Sequence, residues 1–286
     1  MSGNAHILFL TALLLLPACA VQDIRPDTAA IHWNESRGRE LLEKAARIHG
    51  ESYWKTLETY EISLEDRYFG FWGKLASPFP KNSTLMRLQY IPQTFTGRAI
   101  FGEGKWEGKI WGLQSWKTYT LSPRGRFRIE NSASIAFHLS AYQYFIEFPF
   151  RIKEADIVAY IGEKMDNQIK YQRVFATWET AKAKKSHDQY IIWINAQTGR
   201  IEKLEYTIRD LHKSLRATAR FRDFRRIGGG WLIPEKVSIQ SPLQTRDWLH
   251  EWQLQDFIPN PIAPEELGPI KNWPLSTGTA KPLPEK

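Results

Sequence analysis

The sequence predicts an α+β fold in which a curved antiparallel sheet of about ten or eleven strands is covered by one or two helices. Three observations carry this prediction. Residues 188–240 read as four consecutive antiparallel strands with one apolar and one charged face. Two segments, 36–49 and 132–148, switch to helical spacing. Short strand-like runs separated by turn residues fill much of 60–121 and 157–178.

Taken in order, residues 7–16 (ILFLTALLLL) form an apolar run too short to span a bilayer but suited to a signal-peptide core. Leu16-Pro17-Ala18-Cys19 follows at once, and residues 21–34 lack sustained periodicity and read as a tether. Ser36 is placed as the cap of a first helix, with Leu41, Leu42, Ala45 and Ile48 as its apolar stripe and Gly50 at its C-terminal end. His49, at that end, is read as a cap that favours the helix dipole. Tyr60, Ile62, Leu64 and Tyr68 alternate with polar residues as a strand, with Asp66 interrupting the apolar face. Residues 69–80 (FGFWGKLASPFP) read as a long aromatic loop that either serves a partner, a membrane or a lid, or folds back over the sheet opening.

Strands are expected at 85–91, 94–101, 105–113 and 114–121, with Gly102-Glu103-Gly104 as a hairpin turn. Trp106, Trp111 and Trp116 suit a sheet face or a cavity mouth. The 132–148 helix carries Ile135, Leu139, Tyr142 and Ile146 on one side, broadened by Phe137, Tyr144, Phe145 and Phe148, and Pro149 ends it. Its surplus of aromatics suits two readings, a movable wall over an apolar hollow and a static core element buried on most sides. Two more strands, 157–163 and 168–178, lead to the four-strand stretch. There Leu204, Tyr206 and Ile208 share one face, as do Leu215, Ala217, Ala219 and Phe221, and Gly199 closes a hairpin. A last strand runs near 248–258. Residues 259–286 are proline-rich and read as an extended tail with little to bury.

Several of these stretches resemble a known family. Tyr190 to Ile201 (YIIWINAQTGRI), followed by Phe221-Arg222-Asp223-Phe224-Arg225 and Gly230-Trp231-Leu232-Ile233-Pro234, resembles the strand, TG turn, D-[FY]-R and G-x-x-[IL]-P succession of LolA/LolB-like lipoprotein carriers. His49-Gly50 ahead of Trp54 and Leu57 resembles their first-helix ending, and Tyr160-Ile161-Gly162 their next hairpin, although Asn167 or Gln168 stands where a second glycine is usual. The resemblance implies an incomplete, open barrel whose concave face is covered by helices and holds acyl chains. Leu16-Pro17-Ala18-Cys19 likewise resembles the bacterial lipobox, which implies that Cys19 is diacylated and becomes the mature N-terminus. Ala20 after it goes with outer-membrane delivery in the enterobacterial sorting pattern.

Composition bounds the rest. With 286 residues and no break in the middle, one domain at 36–258 accommodates the core, preceded by a signal peptide (1–18) and a lipidated tether (19–35). Twelve Trp, eleven Tyr and fifteen Phe suit pocket walls as well as core. The net charge of +8, spread along polar strand faces, reads first as a solvated basic sheet face and second as a surface for an anionic membrane, while no recognition helix or basic-aromatic motif asks for nucleic acid. The seven His stand singly, and no nucleophile motif appears, so no metal, cofactor or catalytic residue is assigned.

The expectation is an outer-membrane lipoprotein facing the periplasm. It would bind a lipid or acyl chain, with an envelope protein as a further partner. Candidate cavity-lining residues are Ile62, Leu64, Phe101, Trp106, Trp111, Tyr142, Phe145, Ile146, Leu204, Tyr206, Phe221 and Trp231. Two other readings stay open: a structural or assembly lipoprotein whose core is filled by its own aromatics, and a periplasmic hydrolase. An empty or a packed interior separates the first two.

Overall fold

The computed structural model describes residues 21–26, 33–242, 244 and 247–276. The signal-like run and Cys19 lie outside the described residues.

Thirteen strands form one antiparallel sheet that does not close, in the order β6-β5-β4-β3-β2-β1-β13-β12-β11-β10-β9-β8-β7. The strands are β1 (Tyr60–Tyr68), β2 (Ser83–Tyr90), β3 (Gly97–Phe101), β4 (Ile110–Gln114), β5 (Lys117–Leu121), β6 (Phe127–Glu130), β7 (Ile157–Asp166), β8 (Ile169–Thr177), β9 (Gln189–Asn195), β10 (Ile201–Thr207), β11 (Arg216–Ile227), β12 (Trp231–Gln240) and β13 (His250–Pro259). Two up-and-down meanders, β1–β6 and β7–β13, are joined only where β1 pairs with β13, from Tyr60↔Pro259 to Tyr68↔His250. The predicted open antiparallel sheet is therefore present, with more strands than expected. The addition the sequence reading overlooked is β6, a four-residue edge strand.

Helix α1 (Glu35–His49) buries Leu41, Leu42, Ala45 and Ala46. Its cap is Asn34, whose side chain accepts from the Arg37 N–H at 2.8 Å, two residues earlier than the expected Ser36. Gly50 ends it in the left-handed region (φ 92°), donating its N–H to Ala46 and Arg47. A short α2 (Glu51–Trp54) leads into β1.

The aromatic segment after β1 is not wholly loop: Gly70–Ala76 forms α3 despite its two glycines. Helix α4 (Ala133–Ile146) lies against the concave face of the sheet, capped by Ser132, which accepts from the Ile135 N–H. Pro149 does not simply stop a helix. It occupies the first turn of a second one, α5 (Phe148–Arg151), where its missing N–H costs nothing. Asn167 and Gln168 both have positive φ, 48° and 66°, so a two-residue turn replaces the glycine expected between β7 and β8.

The main core fills the space between the concave face and α1, α4 and α5. A smaller cluster, Ala159, Ile161, Tyr171, Phe175, Ile191 and Trp193, sits on the opposite face. This explains why every residue of β9 is buried, where one solvated face had been expected. Part of the cover is the segment read as a free tether. Ile24 packs on the cluster and its N–H bonds Gln189 Oε1 at 3.0 Å, while the Gln22 N–H bonds the Lys213 carbonyl at 2.9 Å.

The C-terminal segment needs a similar correction. Leu267 and Ile270 are buried, and the side chain of buried Gln114 accepts from the Ile270 N–H at 2.9 Å while donating to the Trp273 carbonyl at 2.8 Å. Residues 260–276 are thus fastened over the β4–β5 turn; the prolines shape their path rather than keep them loose.

Candidate functional site

Strand alternation places Ile62 and Leu64 of β1, Phe101 of β3, Trp111 of β4, Leu204 and Tyr206 of β10, Phe221 of β11 and Trp231 of β12 on the concave face, all buried. Tyr142 and Ile146 meet them from α4. Trp106 and Phe145 are partly buried against the same cluster. The structure therefore brings all twelve candidate residues onto one continuous apolar interior.

At one end, Phe79 stacks on Trp111 (centroids 5.9 Å, planes 25° apart), and Phe101, Trp106 and Trp111 lie within 5.1 Å of one another. At the other, Phe145 meets Tyr206 edge-on at 5.3 Å, and Trp231 meets Tyr60 edge-on at the same distance. A cleft of about 250 Å³ opens beside Trp106, lined also by Pro80, Lys81, Thr84 and Lys105, whereas the interior under α4 is closely packed. The cavity beside Phe145, Ile146, Phe148 and Phe221 measures about 10 Å³, the volume needed for a single water.

Helix α4 carries no charged residue along its length. Three polar ties fasten it. Tyr142 donates its hydroxyl to Asp66, which is fully buried and also contacts His250 Nδ1 at 3.1 Å. Tyr90 donates to the Leu139 carbonyl at 2.9 Å, and Gln143 Nε2 to the Ile91 carbonyl at 2.8 Å. Where α4 passes into α5, Glu147 accepts from Tyr60 (2.7 Å), Gln143 (2.8 Å) and Arg151 (3.0 Å). Burial, and next the negative carboxylate alongside, hold the Tyr60 and Tyr142 hydroxyls well above the ordinary phenol range. Both phenols therefore stay protonated and donate to the carboxylates beside them.

Sequence reasoning missed these polar centres. Asp66 was seen to interrupt an apolar face, but Tyr142 and His250, which satisfy it, come from 76 and 184 residues away. The signal that could have found it was a carboxylate at an inward position of an otherwise apolar strand.

His49 also departs from its expected role. Its Nε2 accepts from the Ile201 N–H (3.2 Å), so Nδ1 carries the proton and donates to the Leu232 carbonyl (3.0 Å). Burial lowers its pKa from 6.5 to about 4, so the ring is neutral and ties α1 to β10 and β12 instead of presenting charge to the dipole. Among the described residues no group of three or more His, Cys, Asp or Glu is arranged to hold a metal ion.

No protein-family model matches the sequence. A comparison with curated protein sequences finds no match. Solved structures do match. A domain described as outer membrane lipoprotein-sorting, from Vibrio parahaemolyticus, superposes with a TM-score of 0.53 at 11% identity, covering 82% of this chain and 97% of the other. A LolA superfamily protein from Nitrosomonas europaea gives 0.51 at 13% identity, covering 80% and 96%. A DUF1329 family protein from Desulfovibrio piger gives 0.50 at 11% identity, covering 78% and 93%. The chain thus has the LolA-like carrier fold, an open antiparallel barrel with covering helices.

Proposed function

We propose that the chain is a lipoprotein of the outer membrane, anchored through Cys19 and facing the periplasm, that takes an acyl chain or related amphiphile onto its concave face. The observation that carries this reading is helix α4. It is uncharged, it lies on the concave side of an open sheet, and Tyr142, Phe145 and Ile146 project from it into the space a ligand would need. The cavity beneath Phe145 and Ile146 measures only about 10 Å³, so cargo reaches that part of the concave face as α4 moves off the sheet. Each methylene transferred from water would then contribute about 0.8 kcal/mol, and no covalent step is involved.

A second reading has its own support: the filled interior suits a structural or assembly lipoprotein with no cargo. One experiment separates them. Protein extracted under native conditions is analysed for bound lipid by mass spectrometry, beside the Tyr142→Phe variant, which removes one tie of α4. The carrier reading expects stoichiometric lipid, or an acyl probe that binds the variant more tightly than the parent. An empty protein with no probe binding in either form supports the cargo-free reading.

A further inference from the structure

Because every neighbouring pair of strands is antiparallel, the hairpin loops divide between the two ends of the sheet. At one end lie 69–82, 102–109, 122–126, 178–188, 208–215 and 241–249. These six loops carry twelve Lys or Arg against six Asp or Glu. At the other end lie 91–96, 115–116, 167–168, 196–200 and 228–230, whose only charged residue is Arg200. That end is also partly covered: Trp273 donates to the Gln114 carbonyl, and Thr96 to the Leu275 carbonyl.

The basic end carries exposed apolar side chains of its own. Phe71 and Leu75 on α3 are 72% and 68% exposed, and Leu211 between β10 and β11 is 54% exposed. Lys74 stands between Phe71 and Leu75 in the sequence, Lys81 follows in the same loop, and Lys213 stands two residues from Leu211.

The N-terminal segment is seated at this same end. The Gln22 N–H bonds the Lys213 carbonyl at 2.9 Å, its carbonyl accepts from Arg209, and Asp23 Oδ1 accepts from Gln189 Nε2 at 2.9 Å. Cys19 is three residues upstream, a reach of at most about 10 Å. An acyl anchor there cannot hold the opposite end against a bilayer without first pulling this segment off the sheet.

We propose that this end is a docking surface for an anionic bilayer, with Phe71, Leu75 and Leu211 entering the interface and the surrounding lysines and arginines meeting lipid phosphates. It adds an orientation to the anchored protein: the uncovered, basic end faces the lipid, and the end closed by residues 260–276 faces away. Anchor, apolar tips and positive loops then act together, which converts tethering into a fixed pose.

The test uses the full chain, purified from membranes and reconstituted on vesicles of phosphatidylcholine alone or mixed with phosphatidylglycerol. Hydroxyl-radical footprinting read by peptide mass spectrometry compares Phe71, Leu75 and Leu211 with Met165 and Ile169, exposed at the opposite end (59% and 39%). With phosphatidylglycerol, oxidation of the first three should fall about fivefold or more, the weight of a single Lys or Arg at an anionic surface, while Met165 and Ile169 stay unchanged. Molar salt, and the Lys74→Glu, Lys81→Glu, Lys213→Glu triple variant, should abolish the difference. Circular dichroism checks that the variant is folded.

Equal oxidation in both vesicles, protection at Met165, or protection that requires an added envelope protein each overturns the proposal. The inference rests on the reading of Cys19 as anchor, and the same spectra weigh the N-terminal peptide. An unacylated Cys19 with a protected basic end overturns the anchor but supports the docking surface. An acylated Cys19 with an unprotected end does the reverse.

Discussion

Replacing His49 by Gln should remove a pH dependence built into the core. The imidazole is 2% exposed and lies among Phe224, Ile201 and Leu232, with both nitrogens bonded to backbone. Its pKa of about 4 in the fold against 6.5 unfolded means that the unfolded chain binds a proton over a range where the folded chain does not. Above pH 6.5 both states are neutral and His49 contributes no pH dependence. As pH falls towards 4, stability drops, reaching a loss of about 3 kcal/mol at 1.36 kcal/mol per pKa unit. Asp188 acts in the opposite sense. Burial raises its carboxyl from 3.8 to about 6, so the fold gains stability as pH falls through the same range. Wild-type stability alone therefore looks flatter than either group would make it.

The difference between wild type and His49→Gln isolates the imidazole. Gln accepts from the Ile201 N–H but loses the Leu232 bond, a cost of about 1–3 kcal/mol at pH 7.5. That gap should close by about 3 kcal/mol between pH 7 and 4. Urea denaturation followed by tryptophan fluorescence, at matched ionic strength and with m-values compared, measures it. Parallel stability curves for the two proteins would refute the assignment of a neutral, buried His49.

Three further outcomes are expected. Truncation after Pro259 removes Leu267 and leaves Gln114 unpaired, a loss of about 3–5 kcal/mol, so the melting temperature should fall by about 10 °C instead of staying put. Ile146→Asp places a charge where the parent side chain is 2% exposed against a filled interior, which costs several kcal/mol and should abolish cooperative unfolding in calorimetry. Cys19→Ser should leave no palmitate-labelled mature form, and normal labelling of that variant would exclude Cys19 as the anchor.

The parts of the fold legible in the sequence are those set by local pattern. β10 to β12, with their inward and outward faces, follow from a period of two, β9 from its β-branched and aromatic run, and α1 and α4 from helical spacing with a glycine or serine at an end. What stayed hidden depends on distant partners. The side chain of His49 is defined by Leu232 and Ile201, more than 150 residues on, and a terminal histidine looks like a charged cap until they are in place. Pro261, Pro264, Pro269 and Pro274 gave the last segment the look of a loose tail, but Leu267 and Ile270 among them have sites to fill. The two glycines of α3 argue for loop by propensity; the N–H of Gly73 bonding the Phe69 carbonyl shows a helical turn completed there all the same. The strand residues among the candidates could be picked out by inward alternation, and Tyr142, Phe145 and Ile146 by helical spacing. The polar ties of α4 were not, since each needs the register of two elements at once.

The pairing of β1 with β13 sets an order of events during folding. Each meander can assemble from hairpins between sequence neighbours, with short loops and little entropy to overcome. The seam is different, because residues 60–68 must wait for residues 250–259 to be made and delivered. Until then β1 presents a bare edge, with Ile62 and Leu64 on one face, to whatever strand arrives first. A half-emerged chain is therefore at its stickiest when the first meander is complete and the second has not begun, and a holding chaperone would act on that edge. In the finished protein the same seam is reinforced from both sides, by the Tyr60–Trp231 contact in the core and by residues 260–276, which run from β13 back to Gln114 of the first meander.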